Sequence, residues 1–262
     1  MIAWLGEERA HNELLVGGKA AALSRLAASF RVPSGFVATP ESDAAAIAAA
    51  YEALGQPRVA VRSSAVGEDG LEHSFAGQLE TFLNIAGVDA VVDAVARCRA
   101  SAESARVVDY MRARGVLRAA VSVLVQELVE ADVSAVVFSV NPVTRNPDEV
   151  VINASIGLGE AIVGGLVTPD EIVVSKSSLA VVSYEIATKE RMVVSAAEGT
   201  VELEVPALLR NRPALTHEQA AEVARLAVEL EAFTEHPVDV ECAFRAGSLH
   251  LLQSRPITTL FH

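Results

Sequence analysis

Apolar and polar residues follow two different periods along this chain, and the two periods alternate from one end to the other. Apolar residues at helical spacing predict helices after the Gly17-Gly18 turn and over 41–54, 88–114 and 217–233, the last with Thr216 as its N-cap. Short apolar runs bounded by glycine, proline or polar residues predict strands over 35–38, 59–64, 121–125, 135–140, 150–154, 172–174 and 179–183. Interleaved helices and strands favour an α/β or α+β fold of two lobes, which we place at 1–125 and 126–262.

The last two predicted strands, 239–244 and 249–256, carry polar residues within otherwise apolar segments. Residues two apart in a strand face the same way, so Asp239 shares a face with Glu241, and Gln253 shares one with Arg255. A three-residue turn would place Glu241 opposite Gln253 and Asp239 opposite Arg255. A two-residue turn would put the two pairs on opposite faces of the sheet.

Two carboxylates, an amide oxygen and a guanidinium on one face suit a divalent cation together with a phosphate. Mg²⁺ prefers hard oxygen ligands, and arginine binds phosphate oxygens in pairs. A half-solvated hairpin with a surface ion pair accounts for the same residues equally well, so the hairpin alone leaves both interpretations open.

The overall charge restricts the choice of partners. The chain has 34 acidic and 21 basic residues, a net charge of −13, which opposes non-specific binding to nucleic acid or to an anionic membrane. No apolar run approaches the roughly 18 residues of a membrane-spanning helix, and the first residues do not resemble a secretory signal. Cys98 and Cys242 fall at core positions without zinc spacing, which predicts buried thiols and a cytoplasmic location.

Basic residues at two element ends are further candidates for binding phosphate. Lys19 follows a Gly-Gly turn at a helix start, where an ammonium can join backbone amides around a phosphate. Arg62 ends an apolar strand, a position that usually directs a charge into a cleft or an ion pair. An ordinary turn and a structural ion pair remain the alternatives, since the full Walker pattern is absent.

Two more segments are weaker candidates for binding a nucleotide. The loop 65–78 is rich in small residues and is predicted to be mobile, so its backbone at 74–78 could fold over phosphates; an ordinary surface loop explains it as well. The segment 126–129 follows a buried strand, where main-chain groups could pair with the edge of a base.

These segments and several others occur in the order found in one known family. In single letters they are GGKA (17–20), VPSGF (32–36), VRSSA (61–65), ED (68–69), SFAGQ (74–78), TFLN (81–84), NPVT (141–144), NASIGLGE (153–160), TPD (168–170) and QSRPIT (253–258). The chain resembles the ATP-binding domain of phosphoenolpyruvate synthase, pyruvate phosphate dikinase and rifampicin phosphotransferase. The resemblance implies an α+β fold of the ATP-grasp type, in which two lobes close on Mg·ATP.

The resemblance also implies roles for individual residues. Lys19, Arg62 and Arg255 correspond to the cations that bind the phosphates and support catalysis. Glu241 and Gln253 correspond to the Mg²⁺ ligands, which favours the three-residue turn.

The remaining assignments concern the nucleotide. Gln126, Glu127, Leu128 and Val129 correspond to the segment along the adenine edge, and Ser74, Gly77 and Gln78 to the loop over the phosphates. Asp239 is a candidate beside the metal ligands or on the ribose side.

In the family, this domain phosphorylates a histidine on a separate domain, and in the synthase and rifampicin enzymes ATP gives AMP and phosphate. The resemblance therefore predicts an ATP-dependent phosphotransferase that performs a partial reaction alone, with a phosphohistidine-domain protein as partner. A stand-alone kinase or ligase that acts on a small-molecule acceptor and gives ADP is the first alternative. A non-catalytic nucleotide sensor is the second, although the complete ligand set argues against it.

The sequence departs from the family pattern in several places. It ends just after the motif at 253–258, without the phosphohistidine and substrate domains, and its segment between Pro40 and Val59 is shorter than usual. Asn141 and Arg145 stand where aspartate and glycine are common. Because truncation would not shorten an internal segment, we expect a natural compact protein.

Overall fold

The computed structural model describes residues 1–66, 69–70, 73–74, 81–102 and 121–257. The chain divides into two compact units, with a boundary between Leu128 and Val129. Unit 1 consists of Met1–Leu128 and Ala196–Gly199, and unit 2 of Val129–Ser195 and Thr200–His262.

Unit 1 is built on a five-stranded sheet in the order β1-β2-β7-β3-β6, in which every neighbouring pair is antiparallel. Its strands are β1 (Ile2–Trp4), β2 (Gly35–Ala38), β3 (Val59–Ser64), β6 (Thr81–Ile85) and β7 (Ser122–Glu127), with a short separate ladder of β4 (Asp69–Gly70) and β5 (His73–Ser74). Its helices are a 3₁₀ turn (Glu8–His11), α1 (Glu13–Val16), α2 (Gly18–Leu26), α3 (Ala44–Ala53) and α4 (Val88–Ala102).

The two faces of this sheet have different coverings. Val61 and Val125 lie on one face and join a buried cluster with Tyr51 of α3 and Val95 of α4. On the other face, the Ser64 hydroxyl accepts a hydrogen bond from the Ala20 N–H of α2. Helices α3 and α4 therefore cover one face, and α2 packs at the Ser64 end of the other.

Unit 2 is built on a six-stranded antiparallel sheet in the order β11-β10-β9-β8-β14-β15. Its strands are β8 (Val133–Phe138), β9 (Glu149–Ile156), β10 (Asp170–Ser175), β11 (Val181–Glu185), β14 (Val238–Arg245) and β15 (Ser248–Pro256), beside a separate hairpin of β12 (Arg191–Ser195) and β13 (Thr200–Glu204). Its helices are α5 (Glu160–Val163) and α6 (His217–Thr234).

Helix α6 covers one face of the unit 2 sheet. It begins at a capping box in which Thr216 and Gln219 exchange side-chain and backbone hydrogen bonds. Tyr184, the cross-strand partner of Ile172, lies with its ring 6.2 Å from that of His217 in the first turn of α6. The residues on this face of the sheet are almost completely buried, among them Ile172, Ile152, Val137 and Val240. The opposite face carries the polar residues of the final hairpin.

Most of the predicted elements are confirmed. The predicted strands correspond to β2, β3, β7, β8, β9, β10 and β11, and Thr216 caps α6 as expected. Helix α4 follows its prediction as far as Ala102, while 103–114 lies outside the described residues. Since every strand pair in the described residues is antiparallel, the α+β class is confirmed and the α/β alternative is not. Among the described residues, no helix is long and apolar enough to span a membrane.

Candidate functional site

The final hairpin brings the predicted metal and phosphate ligands onto one face of the unit 2 sheet. Glu241 pairs directly with Gln253, and Asp239 pairs with Arg255. Because Asp239 and Glu241 are two residues apart in an unbroken stretch of β14, both pairs lie on the face opposite α6. We call this surface, formed by Asp239, Glu241, Gln253 and Arg255, the ligand face.

The prediction of a three-residue turn is wrong, although the register that it was meant to produce is present. Only Ala246 and Gly247 connect the strands, with φ of +49° and +76°, the positive values that a two-residue hairpin turn of type I′ requires. A β-bulge then shifts the register: Cys242 pairs with Leu251 and Glu241 with Gln253, so Leu252 is the extra residue. The bulge thus returns Gln253 and Arg255 to the ligand face.

Asp239 and Arg255 form an ion pair within this face. The Arg255 Nε donates to an Asp239 Oδ at 2.8 Å, and its Nη2 lies 2.7 Å from the same oxygen. Burial raises the pKa of Asp239 above the usual aspartate range; the charge and hydrogen bond of Arg255 oppose this rise, and the nearby Glu241 charge adds to it. Asp239 therefore orients the guanidinium, a group whose planar set of N–H donors suits phosphate oxygens.

A pH titration tests this pairing. In an Arg255→Gln variant we expect the pKa of Asp239 to rise further, because the cation that stabilises the carboxylate is gone. When the folded pKa lies above the unfolded value of about 3.9, stability falls as the pH rises from the unfolded pKa to the folded pKa. Because this pH window is wider in the variant, the variant should lose more stability across it than wild type does. Carboxyl NMR titration of both proteins measures the shift; an unchanged pKa would show that Arg255 does not stabilise the Asp239 carboxylate.

The donor set at Glu241 and Gln253 fits Mg²⁺. A carboxylate and an amide oxygen sit side by side on neighbouring strands, and both are hard oxygen ligands. In the described part of the chain, no group of three or more Asp, Glu, His or Cys could enclose a metal ion. Mg²⁺ is usually bound by one or two protein ligands and completed by phosphate oxygens and water, so a pair such as Glu241 and Gln253 is sufficient.

The sequence around Lys19 is held tightly against the end of β3 in unit 1. Gly17 has φ +80°, and a Cβ there would lie 2.1 Å from the Ser64 carbonyl oxygen, so only glycine fits. The Gly18 N–H donates to the Ala65 carbonyl at 2.9 Å, and Lys19 Nζ lies 3.4 Å from the Ser63 carbonyl. The Gly-Gly turn is therefore more than a simple reversal of the chain, because it fixes a buried lysine beside this strand.

Arg62 lies on the sheet face of unit 1 that α3 and α4 leave uncovered. It pairs with Leu124 on β7, while Ala60 pairs with Gln126, so Arg62 and Gln126 point to the same side. The Ser64 hydroxyl that holds α2 lies on this side too. The structure therefore brings Lys19, Arg62 and Gln126 to one side of the unit 1 sheet.

The segment proposed for the adenine edge has most of its polar groups in internal hydrogen bonds. The Gln126 amide is buried and donates to the Pro33 carbonyl at 3.2 Å. The Glu127 and Leu128 N–H groups donate to the Ser34 and Arg58 carbonyls, each at 2.8 Å. Of the segment's N–H groups, that of Val129 has no hydrogen-bond partner among the described residues, so it is the one that a base edge could engage.

The loop proposed to cover the phosphates is mostly outside the described residues. Ser74 pairs with Asp69 in the ladder of β4 and β5. Gly77 and Gln78 lie outside the described part, and their assignment stays a prediction.

The structure gives physical reasons for both departures near 141–145. Arg145 has φ +60°, the left-handed conformation that glycine adopts most easily, which explains why glycine is common there. The Asn141 side-chain oxygen accepts the Val143 and Thr144 N–H groups at 3.0 Å, a turn that an aspartate would also make. Neither residue belongs to the ligand face.

Comparison with known proteins identifies the family. The model of the pyruvate phosphate dikinase AMP/ATP-binding domain matches residues 37–261, most of the chain. The chain belongs to this AMP/ATP-binding domain family. The ligand face lies within the matched region, whereas Lys19 precedes it.

Named relatives agree with this AMP/ATP-binding domain assignment. Phosphoenolpyruvate synthase of Pyrococcus furiosus is 44% identical over 238 residues, covering 84% of this chain and 29% of that protein. Rifampicin phosphotransferase of Streptomyces sviceus is 38% identical over 244 residues, covering 92% of this chain and 28% of that protein. The AMP/ATP-binding domain described here therefore spans under a third of the length of either relative.

Proposed function

We propose that this chain binds Mg·ATP and transfers a phosphoryl group from it to a histidine on another domain or chain. In this reaction ATP and water give AMP and inorganic phosphate, while the β-phosphoryl group passes to the histidine nitrogen. The named relatives, a synthase of phosphoenolpyruvate and a phosphotransferase, support a phosphotransfer reaction.

The ligand face is the observation that carries the proposal. Its direct pairs, Glu241 with Gln253 and Asp239 with Arg255, join the oxygens that Mg²⁺ prefers to a cation that suits phosphate. Mg²⁺ held by Glu241 and Gln253 would neutralise charge that develops on the phosphates. Arg255, oriented by Asp239, would bind phosphate oxygens through its guanidinium.

The other assigned cations belong to unit 1. Lys19 is fixed at the start of α2, and Arg62 shares its side of the sheet. Positioning and charge neutralisation account for most catalysis in phosphoryl transfer, so side chains that only bind phosphate are sufficient for this role. Val129 would meet the adenine edge.

Product analysis with labelled ATP tests the proposal. The purified chain is incubated with Mg·ATP labelled at the β-phosphate, with and without an extract of the cells that produce it. We expect AMP and phosphate only with extract, and the label on a protein through an acid-labile, base-stable bond typical of phosphohistidine. ADP formation with a small metabolite would instead show a direct kinase or ligase. Failure of the chain to bind ATP would overturn nucleotide binding itself.

A further inference from the structure

One amide on the same side of the unit 2 sheet as the ligand face has no role in the function proposed above. Asn153 lies in the middle of β9, a strand whose other interior residues are apolar or small, and it is only half-buried. Its side chain has no hydrogen-bond partner among the residues that the structure describes. An amide without a protein partner is satisfied by water or by a ligand that replaces this water.

The sheet register places this amide level with the metal pair. Val136 on β8 pairs with Glu241 on one side and with Asn153 on the other. Cross-strand partners project from the same face, so Gln253, Glu241, Val136 and Asn153 form one row across four strands. With neighbouring strands just under 5 Å apart, Asn153 lies roughly 10 Å from Glu241 along this row.

The opposite face cannot provide a partner for Asn153. The residues before and after it, Ile152 and Ala154, point to the face that α6 covers and are fully buried. Asn153 points away from α6, to the side of Glu241. Its β10 partner, Glu171, is exposed, so water or a ligand can reach this end of the row.

We infer that Asn153 is a further phosphate-binding residue, whose amide N–H₂ donates to a terminal phosphate oxygen of the bound nucleotide. The inference rests on the proposed function, because it assumes Mg·ATP on the ligand face. Mg²⁺ held by Glu241 and Gln253 would coordinate oxygens of the terminal phosphates. A donor level with these ligands would meet the β- or γ-phosphate, which AMP lacks.

Two variants with opposite chemistry distinguish a donor from a metal ligand. Asn153→Ala removes the amide, and we expect about tenfold weaker Mg·ATP binding, the usual worth of a hydrogen bond to a charged group. Asn153→Asp keeps the size but places a carboxylate beside the phosphates, so it should weaken Mg·ATP binding by more than the alanine variant does. Affinity for AMP should stay within about twofold in both variants. Calorimetric titration of each protein with Mg·ATP and with AMP provides these values.

Stability separates a binding role from a structural one. Because the amide has no partner in the described residues, Asn153→Ala should unfold at the same temperature as wild type or higher without nucleotide. Asn211→Ala is the matched control: it removes an exposed amide that accepts from the Thr188 hydroxyl, and it should leave ATP affinity unchanged.

Each other result has a defined meaning. Unchanged Mg·ATP affinity in Asn153→Ala, or an Asn153→Asp variant that binds as tightly as wild type, would overturn the inference. A clearly lower unfolding temperature for Asn153→Ala would also overturn it, since the amide would then have a structural role. If wild type itself failed to bind Mg·ATP, the proposed function would be wrong, whereas an effect of Glu241→Gln without any effect of Asn153→Ala would reject only the role of Asn153.

Discussion

Replacing Lys189 by methionine should lower the free energy of unfolding of unit 2 by about 3–5 kcal/mol. Lys189 and Asp170 are both fully buried and form an ion pair on the α6 side of the sheet. Asp170 also accepts the Ala187 and Ala214 N–H groups, at 2.9 and 2.7 Å. The carboxylate thus ties the segment after β11 and the segment before α6 to the first residue of β10, and removal of its cation leaves a buried charge uncompensated.

Urea denaturation provides the measurement, and a second ion pair provides the control. Lys176 pairs with Glu231 at 2.7 Å, but both side chains keep partial access to water, so Lys176→Met should cost only about 0–1 kcal/mol. We expect a lower urea midpoint for Lys189→Met with an unchanged slope. Equal effects of the two substitutions would show that the Asp170 carboxylate is not the buried charge that the structure indicates.

Glu241→Gln should reduce phosphoryl transfer, and the Mg²⁺-dependent part of ATP binding, by about a hundredfold or more. The substitution keeps the shape of the side chain but removes the negative charge that makes an oxygen a strong Mg²⁺ ligand. In the variant, this pair would offer the metal two neutral amide oxygens and no carboxylate. Mg²⁺ titrations at fixed ATP should therefore show a weaker midpoint in the variant.

The control for this variant changes the same charge at a distant position. Glu229 is exposed on α6, the helix on the other face of the sheet, and Glu229→Gln should leave both quantities unchanged. A Glu241→Gln protein with wild-type Mg²⁺ dependence would mean that the metal assignment is wrong. ATP binding measured again in the presence of EDTA would show how much of the remaining affinity is independent of the metal.

The main elements could be predicted from the sequence because their periodicity is strong. The helix α6, with Thr216 before it, and the apolar runs that became β3 and β9 were recognised for this reason. The hairpin of β12 and β13 was missed because its residues are mainly polar or exposed, so no buried face imposes a clear alternation. Short edge strands such as β1 offer too few residues for a period to appear.

The site was predictable in its residue types and less so in its detailed contacts. Asp239 and Arg255 were expected opposite each other, and they pair, but burial and the ion pair depend on the whole sheet. Asn153 was part of a motif without an assigned role, since only the pairing of β8 with both β9 and β14 places it level with Glu241. Asp170 also belongs to one of the motifs, but its structural role depends on its ion pair with Lys189, a residue outside that motif.

The bulge at Leu252 has a consequence for how this hairpin can change in evolution or by engineering. Without it, the register set by the two-residue turn would continue, and Gln253 would pair with Val240, whose side chain lies among the buried residues beneath α6. Deletion of Leu252 itself would have a different result, because Gln253 would then follow Leu251 and pair with Glu241 without a bulge, and Arg255 would still pair with Asp239. Loss of the bulge therefore harms the site only when Leu252 stays in the strand and takes the place opposite Glu241. Deletion of Leu252 is thus a length change that this half of the site can tolerate.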